Sequence, residues 1–182
     1  MKTESNVMYI LRLALTLLLI TGFVAAALAG VNSITAPKIA QHTYEKTQKA
    51  IDAVLKCSGE EITDYPETEL VSKVYKGENG YAVEVTPGGF DNTITMMVGI
   101  DNEGNVLGID IISHTETAGL GAVADANTEA GEKFRTQFEG KSGSVSVEKD
   151  GGEIHAITGA TITSRAVCEG VNAALTCVAN MG

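Results

Sequence analysis

The chain has 182 residues, 44% of them hydrophobic, with 20% charged residues and a formal net charge of −10. That balance excludes a disordered acidic polypeptide, and an acidic field with no basic stripe excludes a nucleic-acid binder. Trp is absent and Phe and Tyr are few, so the core must be mainly aliphatic. Residues 1–12 precede a charge-free run of 19 residues from Leu13 to Val31, about the length a membrane-spanning helix needs. An uncleaved anchor and a signal peptide cut near Ala27-Leu28-Ala29 both fit this run; its length favours the anchor, since a signal core is usually ~7–15 residues. Lys2 and Arg12 before the run favour an inside amino terminus, which places the rest of the chain outside the cytoplasm.

Residues 32–59 read as a juxtamembrane stalk and helix. Pro37 is expected to begin that helix, with Thr35 as its cap and Gly59 at its end. Strand patterns follow. Leu70–Tyr75, the alternating Tyr81–Thr86, Asn92–Ile100 and Asn105–Ile112 form an expected antiparallel meander, with Asp101-Asn102-Glu103-Gly104 as a hairpin turn. After the loop 114–121, Phe134 and Phe138 form an i,i+4 pair on a short helix. Ser144–Glu148 is a candidate fifth strand. From about Thr163 to Asn180, Val167, Val171, Ala174, Leu175 and Val178 share one helical face. The expected fold is α+β: an antiparallel sheet with helices packed to one side, preceded by one N-terminal transmembrane helix, the globular part being residues 60–182. The three cysteines, Cys57, Cys168 and Cys177, lack CxxC or Cys/His spacing and read as small buried hydrophobes, not metal ligands.

Conventional catalytic signatures are missing. Gly140-Lys141-Ser142 has Arg135 where a phosphate loop needs its leading Gly, and no GxSxG or GxGxxG occurs. No catalytic residue is assigned. What stands out is Thr158-Gly159-Ala160-Thr161-Ile162-Thr163-Ser164 at the head of the last helix. Its hydroxyls read first as a simple N-cap; the sharper reading is an anion site, in which free N–H groups and the helix dipole attract negative charge.

This segment resembles the [Ser/Thr]-Gly-Ala-Thr flavinylation motif of the FMN-binding domain family. That family includes the RnfG component of Rnf-type ion-translocating electron-transport complexes and its flavin-bearing counterpart in the sodium-pumping NADH:quinone reductase. His114-Thr115-Glu116-Thr117-Ala118-Gly119-Leu120-Gly121 resembles the family's second loop, with Ala118 in place of its Pro. Gly80-Tyr81-Ala82, Val98-Gly99-Ile100-Asp101 and Phe134-x-x-Gln137-Phe138 match its framework. His155 stands where the family usually has Asp. The short chain with one flavin domain is most similar to the RnfG component. The resemblance implies FMN held covalently through its phosphate on Thr161, attached by a flavin transferase. It implies that Thr158, Gly159, Ala160 and Thr163 surround the phosphate and ribityl chain, and that Glu116, Thr117, Gly119 and Leu120 line the ring. For Glu116 a solvated loop carboxylate is the equal alternative. The expected function is electron relay in a cell-membrane complex with other subunits. A stand-alone flavin carrier and a non-redox tethered binding module are the rivals.

Overall fold

The computed structural model describes residues 2–66 and 68–181, with side chains from residue 7 onward, so the Lys2 side chain used for orientation lies outside the described residues. The chain forms two compact units, residues 1–45 and 46–182. Helix α1 runs from Lys2 to Leu55, and its first unit leaves Leu17, Leu18, Phe23 and Leu28 exposed. From Val7 it is long and apolar enough to cross a membrane, reaching a mean hydropathy of 2.3.

Pro37 lies inside α1 instead of starting a new helix. A proline deletes one backbone hydrogen bond, a local loss that the flanking turns of so long a helix outweigh. Thr35 is accordingly no cap: its hydroxyl donates to the Val31 carbonyl at 2.9 Å. The helix ends before Gly59, because Lys56 takes the left-handed conformation at φ 56°. Asn79 Nδ2 then donates to the freed Leu55 carbonyl at 2.9 Å.

Among the described residues, five antiparallel strands follow in the order β1–β5: Glu60–Ile62, Val71–Gly77, Gly80–Val85, Thr95–Asp101 and Val106–Ser113. The turn between β4 and β5 forms as its residue types predict, with Asp101 Oδ1 accepting from the Glu103 and Asn105 N–H groups at 2.9 and 2.8 Å. The expected third strand is shorter than its pattern implied. Asn92–Ile94 belong to a loop in which Ile94 N–H donates to the Pro87 carbonyl at 2.9 Å.

Ser144–Glu148 is not a strand. Asn172, on helix α3 (Thr161–Ala179), donates to the Val145 carbonyl at 2.8 Å and accepts its N–H at 2.7 Å. One side chain thus satisfies the backbone that a strand neighbour would have paired, leaving a single parallel bridge, Val147–Ile154. The fifth strand is Glu60–Ile62.

Helix α3 and the short helix α2 (Glu129–Thr136) pack over one face of the sheet, where Val83, Val85, Met96, Val98 and Ile111 meet Phe134, Val167 and Val171. Phe134 and Phe138 touch edge to face at 5.5 Å between ring centroids, although Phe138 lies just past the helix. The other face is also buried. Ala50, Ile51, Val54 and Leu55 at the end of α1 cover Tyr75, Ala82, Met97 and Ile112. This is why Ala82, placed by alternation on the polar side of its strand, is fully buried.

Cys168 and Cys177 are buried free thiols, and Cys57 is half-buried. Burial, aided by the charge of Asp150, pushes the Cys168 thiol up to about 11; burial alone raises Cys177. At pH 8 a thiol-specific reagent is expected to label Cys57 in the folded protein and the other two only after denaturation. Rapid labelling of all three in the native state would contradict this packing.

Candidate functional site

Four segments converge on one cavity of about 280 Å³. They are the loop before β4, the loop after β5, the 3-10 turn Glu148–Asp150 and the head of α3. The lining is Phe90, Glu116, Thr117, Leu120, Gly121, Lys149 and Gly159 to Thr163.

The loop after β5 is shaped by its histidine. His114 Nδ1 accepts the Glu116 N–H at 3.1 Å, and its Nε2 lies 3.7 Å from Asp125 Oδ2. This turn sends the Glu116 side chain inward, where it is only 8% exposed. Glu116 Oε1 accepts from the N–H groups of Phe90 and Asp91 at 2.8 and 3.4 Å. Its Oε2 accepts from the Thr163 hydroxyl at 2.5 Å. One carboxylate therefore ties three segments together, and the solvated-loop alternative is overturned. Gly121 makes this knot possible, because a Cβ there would fall 2.4 Å from Glu116 Oε2 and 2.6 Å from Thr163 Oγ1.

At the head of α3 the cap position is Ala160, and no side chain caps it. The hydroxyl-rich turn is not an N-cap. Its hydroxyls are engaged otherwise: Thr163 with Glu116, and Ser164 with the Ala160 carbonyl at 2.9 Å. The first helical hydrogen bond runs from Ser164 N–H to the Ala160 carbonyl, leaving the preceding N–H groups without intrahelical acceptors, as at any helix start. Gly159 reaches this approach at φ 77°, and a Cβ on it would press on Leu120 Cδ2 at 3.0 Å. Thr161, the first residue of α3, is half-buried, and its Oγ1 accepts from Lys149 Nζ at 3.1 Å. Among the described residues Lys149 is the one basic member of the lining, while Phe90, Leu120 and Ile162 expose apolar surface there. Donors at a helix start, a cation, and apolar side chains beside them suit a ligand with a phosphate and a flat apolar portion.

Residues 89–176 match the FMN-binding domain family, a span that contains every lining residue, and residues 1–54 match the RnfG N-terminal region. Over 99% of its length the chain is 31% identical to the G subunit of the Na(+)-translocating ferredoxin:NAD(+) oxidoreductase complex of Acetobacterium woodii, covering 97% of that protein. The chain belongs to the RnfG family. It is also 32% identical to the G subunit of the ion-translocating oxidoreductase complex of Shewanella baltica, over 90% of this chain and 84% of that protein. The match to the corresponding protein of Vibrio vulnificus is higher, 43%, over 48% of this chain and 43% of that protein. Family membership and the apolar helix together make this a membrane-anchored RnfG protein with an FMN-binding domain.

Within this RnfG fold, Thr161, Gly159, Ala160, Thr163, Glu116, Thr117 and Leu120 line the cavity. Thr158 and Gly119 do not. They line an adjoining groove of about 660 Å³ together with His155. His155 is exposed, and its Nδ1 sits 2.8 Å from Glu148 Oε2. Its backbone is held by Gln137, whose Oε1 accepts the His155 N–H at 2.8 Å. Sequence reasoning missed Phe90, Gly121, Lys149 and Ile162. Phe90 carried a signal, an aromatic residue inside the polar turn Gly88-Gly89-Phe90-Asp91-Asn92. Lys149 carried none, since its partner lies 12 residues away across a turn.

Proposed function

We propose that this protein is the flavin-carrying member of an Rnf-type membrane complex, with FMN esterified through its phosphate to Thr161 Oγ. The observation that carries the reading is the Thr161 hydroxyl, set at a helix start without a side-chain cap and on a cavity that falls wholly within the FMN-binding match. When bound, FMN supplies the ability to accept and release electrons. The chain supplies the rest. Gly159, Ala160 and Thr161 hold the phosphate end, while Leu120, Phe90 and Ile162 give the ring apolar cover. Thr163 and Glu116 keep the wall between them rigid. Thr117 lies at the cavity edge, and Thr158 and Gly119 shape the approach from the adjoining groove.

Residues 13–31 serve as the span and residues 60–182 as an extracytoplasmic domain, where a dissociable flavin would be lost; an ester to the chain prevents that loss. Attachment calls for a flavin transferase with FAD as donor. The relatives are named as subunits of ferredoxin:NAD(+) or ion-translocating oxidoreductase complexes, and the role proposed for this chain is to pass electrons between the partner proteins of such a complex. The match of residues 1–54 to the RnfG N-terminal region favours membership of a complex over a stand-alone carrier. The absence of a side-chain cap removes the observation on which a non-redox module rested.

The test is the intact mass and peptide map of the full chain after co-expression with a flavin transferase. The expected result is one FMN on the peptide containing Thr161. An unmodified mass, with a control flavoprotein fully modified by the same transferase, would sink the proposal.

A further inference from the structure

The turn Glu148–Asp150 is fastened by three successive side chains. Glu148 meets His155, Lys149 meets Thr161, and Asp150 accepts from Arg165 Nε and Nη2 at 2.6 and 2.7 Å. Arg165 lies on α3 one helical turn beyond Thr161, so the bidentate pair clamps the turn beside the residue that bears the hydroxyl. The Arg165 guanidinium also holds the Asp150 carboxyl below its usual range, keeping the clamp ionised. An unclamped surface lysine would sweep many rotamers. This one is aimed at a single oxygen.

Lys149 donates to Thr161 Oγ1, which leaves the hydroxyl's own proton directed elsewhere. A chain of net charge −10 opposes the approach of a phosphate-bearing donor, and Lys149 is the local exception in the cavity lining. We propose that Lys149 is the charge partner of esterification at Thr161, positioned by the Asp150–Arg165 clamp; the inference rests on the Thr161 reading above. Thr161 Oγ attacks the flavin-side phosphorus of FAD bound to the transferase. The Oγ–P bond forms as the bond from phosphorus to the AMP oxygen breaks, AMP departs, and the hydroxyl proton passes to a base of the transferase. No oxidation state changes. The Lys149 side chain, held at the Thr161 oxygen, offsets first the charge gathering at the reacting oxygens and then the single negative charge of the phosphodiester.

The test follows the rate of FMN addition by intact mass, using the full chain with purified transferase and FAD. Lys149→Ala is expected to react about tenfold more slowly than wild type, and Lys149→Arg within about threefold of it, since charge near a reacting oxygen is what counts. Asp150→Asn, which loosens the clamp and leaves the Lys149 side chain in place, should fall between them. Thermal melts of all variants should stay close to wild type, because the Lys149 and Asp150 side chains are exposed. Wild-type speed in Lys149→Ala, or Lys149→Arg as slow as Lys149→Ala, overturns the inference alone. A wild-type chain left unmodified beside a modified control overturns the Thr161 reading and this inference together.

Discussion

Replacing Thr161 by alanine is expected to abolish covalent flavin while leaving the fold intact, and Thr161→Ser is expected to retain it. The contrast arises from where the neighbouring hydroxyls are spent. Thr163 donates to the buried Glu116 carboxylate, and Ser164 is fully buried against the Ala160 carbonyl. Thr158 is exposed but lines the adjoining groove. Thr161 alone among them combines a cavity position with a hydroxyl whose oxygen meets a cation. No substitute is therefore available one turn away, despite four hydroxyls in seven residues. Stability should change by about 0.5 kcal/mol or less, because the residue is half-buried at a helix start and makes no cap. Intact mass reads the label and a thermal melt reads the fold. Full labelling of Thr161→Ala would assign the ester to another residue.

Glu116→Ala should be the most destabilising change at the site. It removes the acceptor for the Thr163 hydroxyl and for the Phe90 and Asp91 N–H groups, while Thr163 itself is buried. Hydrogen bonds to a charged group are worth about 1.5–3 kcal/mol each, and removing the carboxylate also relieves its desolvation. The net loss should be about 2–4 kcal/mol. For a domain of this size that lowers the melting temperature by roughly 10 °C. Glu116→Gln keeps one carbonyl oxygen for the loop amide and should lose about 1 kcal/mol. FMN addition to Glu116→Ala should slow as well, since the loop carrying Phe90 and the head of α3 lose their common anchor. Differential scanning calorimetry of the three proteins checks the order. A Glu116→Ala melt within about 1 °C of wild type would show that the carboxylate is not the knot.

Much of this molecule could be read before folding. The apolar run Leu13–Val31, the alternation through Tyr81–Val85, the face of α3 built on Val167, Val171 and Ala174, and the pair Phe134–Phe138 are all patterns between near neighbours. Backbone geometry converts such spacing directly into helix or strand, so local order suffices. The loop 114–121 and the turn 158–164 were legible for a different reason: each is a contiguous motif that resembles one of the FMN-binding domain family. Pro37 failed its expectation for a local reason, the strength of the turns around it; in two other places a partner distant in sequence had intervened. Asn172 satisfied the backbone at Val145 and dissolved an expected strand. The end of α1 covered Ala82 and turned a half-buried strand into one buried on both faces.

The cavity followed the same division. That Thr161 stands at a helix start is a property of its own segment, and so was visible in the chain. That Glu116 is buried rather than solvated depends on Phe90, 26 residues before it, and on Thr163, 47 residues after it. That Lys149 meets the Thr161 oxygen, and Asp150 meets Arg165, depends on the turn 148–150 coming to rest against α3. Hydrogen bonds and charge pairs act over a few ångströms of space, and no periodicity along the chain records which distant residues folding will bring within that range.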